Sequence, residues 1–188
     1  ARGDGRGQRR FTVLRDATPP DVLFDTTPPQ ASALSVVSVT GAAPDADSLR
    51  LGDDPVPLGA DGAFAVDLPL GPGRNVFDLV ARDRVGNVTL RQISIVQDRE
   101  APVIARADVV SDDGLVTVTA EARDNLGLRP VASFELDLGG TVTAGVLRCD
   151  PATASCEATL PDRGVTPRLI AVEVFDYAGN TARFAPTD

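Results

Sequence analysis

Short runs in which apolar and polar residues alternate dominate this chain. Val, Leu, Ile and Thr fill the runs, and Gly, Pro, Asp and Asn separate them. A period of two marks a half-buried strand, with one face toward a core and one toward water. Such runs cover residues 11–15, 33–40, 48–51, 63–68, 75–83, 88–97, 103–110, 115–123, 131–138, 141–149, 156–160, 168–175 and 180–185. No apolar spacing of the i, i+3, i+4, i+7 kind is sustained, and Pro or Gly interrupts most stretches. About a dozen short strands joined by turns predict an all-β sandwich architecture.

Two elements recur along the chain. Ala81-Arg82-Asp83-Arg84-Val85-Gly86-Asn87 returns as Val174-Phe175-Asp176-Tyr177-Ala178-Gly179-Asn180. Each copy follows an apolar strand and precedes another. Asp83 and Asp176 can accept hydrogen bonds from turn N–H groups. Gly86 and Asn87, like Gly179 and Asn180, tolerate the positive φ of a tight hairpin. A degenerate copy, residues 1–7, opens the chain and leads into the run at 11–15. The second element sets an Asp three or four residues before a Pro: Asp16 with Pro19 and Pro20, Asp25 with Pro28 and Pro29, Asp98 with Pro102. Proline stiffens an extended segment and forbids a helix there, so these are natural joints. The chain then parses into an N-terminal arm or remnant strand (1–26), a first module (27–98) and a second module (99–188). Modules of this size support a thin two-sheet core close to the lower limit of independent stability.

The residues Asp61-Gly62-Ala63-Phe64, Leu70-Gly71-Pro72-Gly73-Arg74-Asn75-Val76-Phe77, Ala81-Arg82-Asp83 and Gly86-Asn87 carry a resemblance. The first module resembles bacterial immunoglobulin-like modules of the glucodextranase domain-B-like type. The second is similar to the broader bacterial immunoglobulin-like and fibronectin-type set; it lacks the Asp-Gly-x-Phe element and adds a cysteine pair. The resemblance covers all but the arm and implies two tandem immunoglobulin-like sandwiches. It also implies non-catalytic spacer or adhesive modules of secreted and surface proteins. Its motifs are turn chemistry, which specifies fold better than function.

The expected cores are aliphatic, because aromatics make up only 4% of the chain. Phe77, Leu79 and Ala81 share one strand face, opposed by Phe64 and Val66. In the second module Ile170, Val172 and Val174 take that place, with Phe134, Leu136, Val116 and Val118 as partners. Cys149 and Cys156 bracket a short loop between two runs and are expected to form a disulfide across a hairpin neck. That pairing implies an oxidising compartment: periplasm, cell surface or medium.

Composition narrows the chemistry. The chain of 188 residues holds no His, no Trp, no Met and a single Tyr. Without His there is no Ser-His-Asp triad, no Cys-His dyad and no His-ligated zinc. Ala1 is not a translation start, so a longer parent chain is expected, with neighbouring domains as partners. No apolar run is long enough for a membrane helix. A net charge of −9 argues against nucleic acid and anionic membranes as ligands. Residues 1–15 are the basic exception and suggest either a cut end or an arm that adds to an acidic sheet edge of another chain. Arg2-Gly3-Asp4 spells an adhesion tripeptide within this Arg- and Gly-rich stretch, where chance explains it.

The surplus of Asp is the main chemical hint. Asp83, Asp98, Glu100 and Asp124 gather near the joint, with Asn125 beside them, and hard oxygen donors of this kind suit calcium. The spacing matches no EF-hand, and turn formation or solubility accounts for the same residues. No other cofactor is expected. A sugar-binding face needs aromatic platforms, and Tyr177 alone is not one. Glycoside hydrolysis needs two carboxyls across a cleft, and no pair stands out, so an enzyme is not expected. The reading is a non-catalytic extracellular spacer or stalk with possible adhesive or assembly contacts. Its alternative is an accessory carbohydrate-binding module of a polysaccharide-active enzyme.

Overall fold

The computed structural model describes residues 15–186. The run at 11–14, the degenerate repeat at 1–7, Arg2-Gly3-Asp4 and most of the basic arm lie outside the described residues. The strands are β1 (Leu23–Phe24), β2 (Ala31–Ser32), β3 (Val36–Ala42), β4 (Ser48–Leu51), β5 (Asp54–Val56), β6 (Ala63–Pro69), β7 (Gly73–Arg82) and β8 (Val88–Gln97). They continue as β9 (Val103–Asp112), β10 (Leu115–Arg123), β11 (Val131–Leu138), β12 (Val142–Asp150), β13 (Ser155–Pro161), β14 (Pro167–Phe175) and β15 (Thr181–Phe184). A single 3-10 turn, Ala60–Gly62, is the only helical element among the described residues. No helix there is long and apolar enough to cross a membrane.

The strands form three sheets, ordered β1-β3-β6, β2-β8-β7-β4-β5 and β15-β14-β11-β12-β13-β10-β9. β2 pairs parallel with β8, where Ala31 meets Val96 and Ser32 meets Gln97, whereas β1 with β3, β4 with β5 and β7, and the pairs of the seven-stranded sheet are antiparallel. In the expected run at 33–40 the strand starts late. Residues 33–35 form a bend between β2, which ends at Ser32, and β3, which begins at Val36, because the chain leaves one sheet and joins another there.

The chain folds as two compact units. The first comprises residues 15–26, 40–66 and 78–92; the second comprises 27–39, 67–77 and 93–186. In the first unit Val22, Ala43, Leu49, Val56, Phe64, Leu79 and Ala81 form the buried cluster, with Val66 packed against it. Phe24 meets Phe64 edge to face with ring centroids 6.4 Å apart. In the second unit the seven-stranded sheet curls until β9 lies beside β14 and β15. Val116, Val118, Phe134, Leu136, Leu147, Leu169, Val172 and Val174 fill its interior. Burying each such side chain contributes about 1.5–3 kcal/mol.

Two expected core positions move. Phe77 is half-buried, stands outside the first cluster and falls in the second unit, because β4 ends opposite Leu79 and does not reach it. On β14 the cause is a bulge. Glu135 pairs with Ala171 and Leu136 with Leu169, so Ile170 is an extra residue on β14. This bulge shifts the alternation by one, which sends Leu169 into the core and leaves Ile170 half-buried. Cys149 and Cys156 face each other across β12 and β13 and form a disulfide, as their spacing led us to expect.

Candidate metal centre

The second Asp-Tyr-Ala-Gly-Asn turn builds the base of the site. Asp176 directly follows β14 and is fully buried. Its Oδ1 accepts hydrogen bonds from the Gly179 N–H at 2.6 Å and the Asn180 N–H at 2.7 Å. Its Oδ2 accepts one from the Asn180 side-chain amide at 2.7 Å. Gly179 takes φ 97°, the left-handed region where a Cβ would be strained. The Asn180 amide also donates to the carbonyls of Asp98, at 3.1 Å, and Glu100, at 3.0 Å. One side chain therefore closes the hairpin and holds the segment that leads into β9.

Two further carboxylates converge on Asp176. Asp98 directly follows β8, and Asp124 directly follows β10. Oxygens of Asp98, Asp124 and Asp176 all lie within 4.8 Å of one another. Asp98 is only 5% exposed. Its Oδ1 accepts the Glu100 N–H at 2.9 Å, while its Oδ2 is buried and has no hydrogen-bond partner among the described residues. Asp124 is half-buried, and its Oδ1 accepts the Leu126 N–H at 2.8 Å. Burial raises the pKa of Asp124, and the charges of Asp176 and Asp98 add to the rise against the Leu126 N–H. Among the described residues, no Arg is ion-paired with any of the three carboxylates. Arg129 donates instead to the backbone carbonyl of Asp176, at 2.9 Å. The arrangement is a concentration of negative oxygen donors, suited to holding a hard cation.

The other residues singled out from the sequence lie as follows. Asp83 belongs to the first unit and follows β7. Its Oδ1 accepts the N–H groups of Val85, Gly86 and Asn87, and its Oδ2 accepts the Asn87 amide. That amide also reaches the Thr18 carbonyl at 3.2 Å. Glu100 is exposed and meets the second hairpin through its backbone, not its carboxylate. Asn125 lines a surface depression with Asp98, Glu100 and Leu126. Tyr177 is 53% exposed and borders an apolar hollow with Pro29, Ala31, Val96 and Leu126.

Asp176 reads from sequence as a turn former, not as a ligand. The signal was present: Asp98, Asp124 and Asp176 each occupy the first position after a strand. Strand ends that share one rim of a sandwich place such residues together.

No protein-family model matches the chain, and no curated protein matches it in sequence. Among solved structures, the fibronectin(III)-like modules of CbhA from Clostridium thermocellum align with a TM-score of 0.54 at 13% identity, covering 86% of this chain and 89% of theirs. A tetra-tandem repeat from the extending region of a large adhesion protein aligns with a TM-score of 0.39 at 20% identity, covering 90% of this chain and 49% of that one. The first likeness concerns fold, and the fold of this chain is an all-β immunoglobulin-like sandwich.

Proposed function

We propose that this chain is a non-catalytic spacer of a secreted or surface-anchored bacterial protein, partnered by neighbouring domains of the same longer chain. The observation that carries the reading is the grip of Asn180 on the carbonyls of Asp98 and Glu100. Further bonds support it inside the second unit. Ala33 donates its N–H to Ala178 O at 3.0 Å, and Arg99 donates to Ala33 O at 3.3 Å. A segment tied at so many backbone groups transmits force without hinging. The disulfide fits an oxidising location outside the cytoplasm. The acidic net charge gives no support to nucleic-acid binding. The glucodextranase domain-B-like subtype of residues 27–98 belongs to this proposal and rests on the turn residues quoted above.

Limited trypsin digestion tests the held segment. The Arg99–Glu100 bond is expected to resist cleavage in the native protein and to be cut in the unfolded chain. Asn180→Ala should expose it. Prompt native cleavage there would overturn the spacer reading. Saturable binding on a glycan array would favour an accessory carbohydrate module instead.

A further inference from the structure

Among the described residues, no Arg is ion-paired with the three-carboxylate cluster. Asp98 and Asp176 are almost wholly buried, and Asp98 Oδ2 meets no hydrogen-bond donor among the described residues. An ionised oxygen in that state is expensive unless a cation completes it. The donors are all oxygen; the chain has no His, and its cysteines are joined in the disulfide. Soft and borderline metals are therefore poorly served. Magnesium favours one or two carboxylates with retained water in a strict octahedron. Calcium accepts several carboxylates in flexible geometry.

The first hairpin provides an internal comparison. Asp83 and Asn87 repeat the bonding of Asp176 and Asn180, and Asp16 Oδ1 accepts the Thr18 N–H as Asp98 Oδ1 accepts that of Glu100. The loop that follows β3 leads into β4, which pairs with β7, the strand that ends at Asp83. The loop that follows β10 leads into β11, which pairs with β14, the strand that ends at Asp176. Ala43 thus stands after β3 where Asp124 stands after β10. Asp47 of the first loop is ion-paired with Arg84 at 3.4 Å, and the residue in the place of Arg84 is Tyr177. Both hairpins share one scaffold. Asp16, Asp45, Asp47 and Asp83 line one depression beside Arg84 in the first, but among the described residues only Asp98, Asp124 and Asp176 bring carboxylate oxygens within 4.8 Å of one another.

We infer that Asp98, Asp124 and Asp176 bind one calcium ion, and that the Asp83 hairpin binds none. The ion joins three strand ends to the segment that Asn180 holds. The second unit then depends on calcium for its full stability, while the first does not.

The test is calorimetric titration of the EDTA-treated 188-residue protein with calcium chloride, together with thermal melts in EDTA, calcium and magnesium. One calcium per chain is expected, with a melting temperature raised by calcium far more than by magnesium. Asp124→Asn removes a ligand and should weaken calcium binding about tenfold or more. In EDTA the same variant should melt no lower than the parent, because a repelling carboxylate is gone; a merely structural Asp124 would destabilise both states. Asp98→Asn, which keeps an acceptor for the Glu100 N–H, is the second variant with the same expected loss. Asp83→Asn should leave the calcium stoichiometry at one. The inference is overturned if calcium and EDTA give the same melt with no binding heat. Unchanged affinity in both Asp124→Asn and Asp98→Asn, or two ions per chain, would also overturn it.

Discussion

Gly145 lies directly opposite Phe134 across β11 and β12, and the ring covers it. A Cβ at Gly145 would stand 2.3 Å from Phe134 Cζ. The first unit has the same device, since a Cβ at Gly41 would lie 2.8 Å from Phe64 Cζ. Both rings are buried, and their strands have no slack to give. Gly145→Ala is therefore expected to cost about 1–3 kcal/mol through overpacking, measured by urea unfolding. A neutral result would mean that Phe134 leaves its position freely. Asp83 makes a second prediction at this scale. Burial opposes its ionisation, but the Asn87 amide and the N–H groups of Asn87, Gly86 and Val85 together hold its pKa below the usual aspartate range. A depressed folded pKa contributes stability above the unfolded value, and the contribution is lost as pH falls through the folded value. Carboxyl NMR should find Asp83 titrating below an unfolded-chain aspartate, and Asp83→Asn should flatten the acid limb of the stability curve. A normal Asp83 titration contradicts this. The turn role of Asp83 was legible from the repeated Asp-x-x-Gly-Asn spacing, because those hydrogen bonds are local. The ring-over-glycine contacts were not, because they depend on strand register.

At the scale of elements, the β12–β13 hairpin is closed covalently. Cys149 and Cys156 are direct partners with Cα atoms 3.9 Å apart, and Cys156 is fully buried beside the second core. Closing a loop this short stabilises by roughly 2–3 kcal/mol on the chain-entropy model. Reduction, or the double change Cys149→Ala and Cys156→Ala, should lower the unfolding free energy by about that amount. Thiol titration of the native protein should find no free thiol, and two would refute the bridge. The bridge was legible because sequence proximity nearly forces it. The bulge at Ile170 was not. Alternation alone places Ile170, Val172 and Val174 on one face, and nothing local distinguishes Leu169. The pairing of Leu136 with Leu169 decides the matter, through a residue on another strand. The late start of the strand in the run at 33–40 has the same cause, since only the sheets being joined determine where the chain must bend from β2 to β3.

At the scale of the whole molecule, an acidic chain folds with most of its 22 Asp at turns and strand ends. Local patterning determined the all-β class, most strand positions, the two Asp-Asn hairpins and the disulfide. Each of these depends on residues close together in sequence or on a period that a single strand imposes. Only the tertiary structure decided which carboxylates meet. Asp98 and Asp124 were already candidates near a joint, but Asp176 joined them from a distant strand. Asp83, the same residue in the same motif, remained a turn former in the first unit. The difference is physical. A hairpin shapes its own aspartate through hydrogen bonds a few residues away. A cation site needs several carboxylates within reach of one point, and that depends on which strand ends the folded sheets bring to one rim.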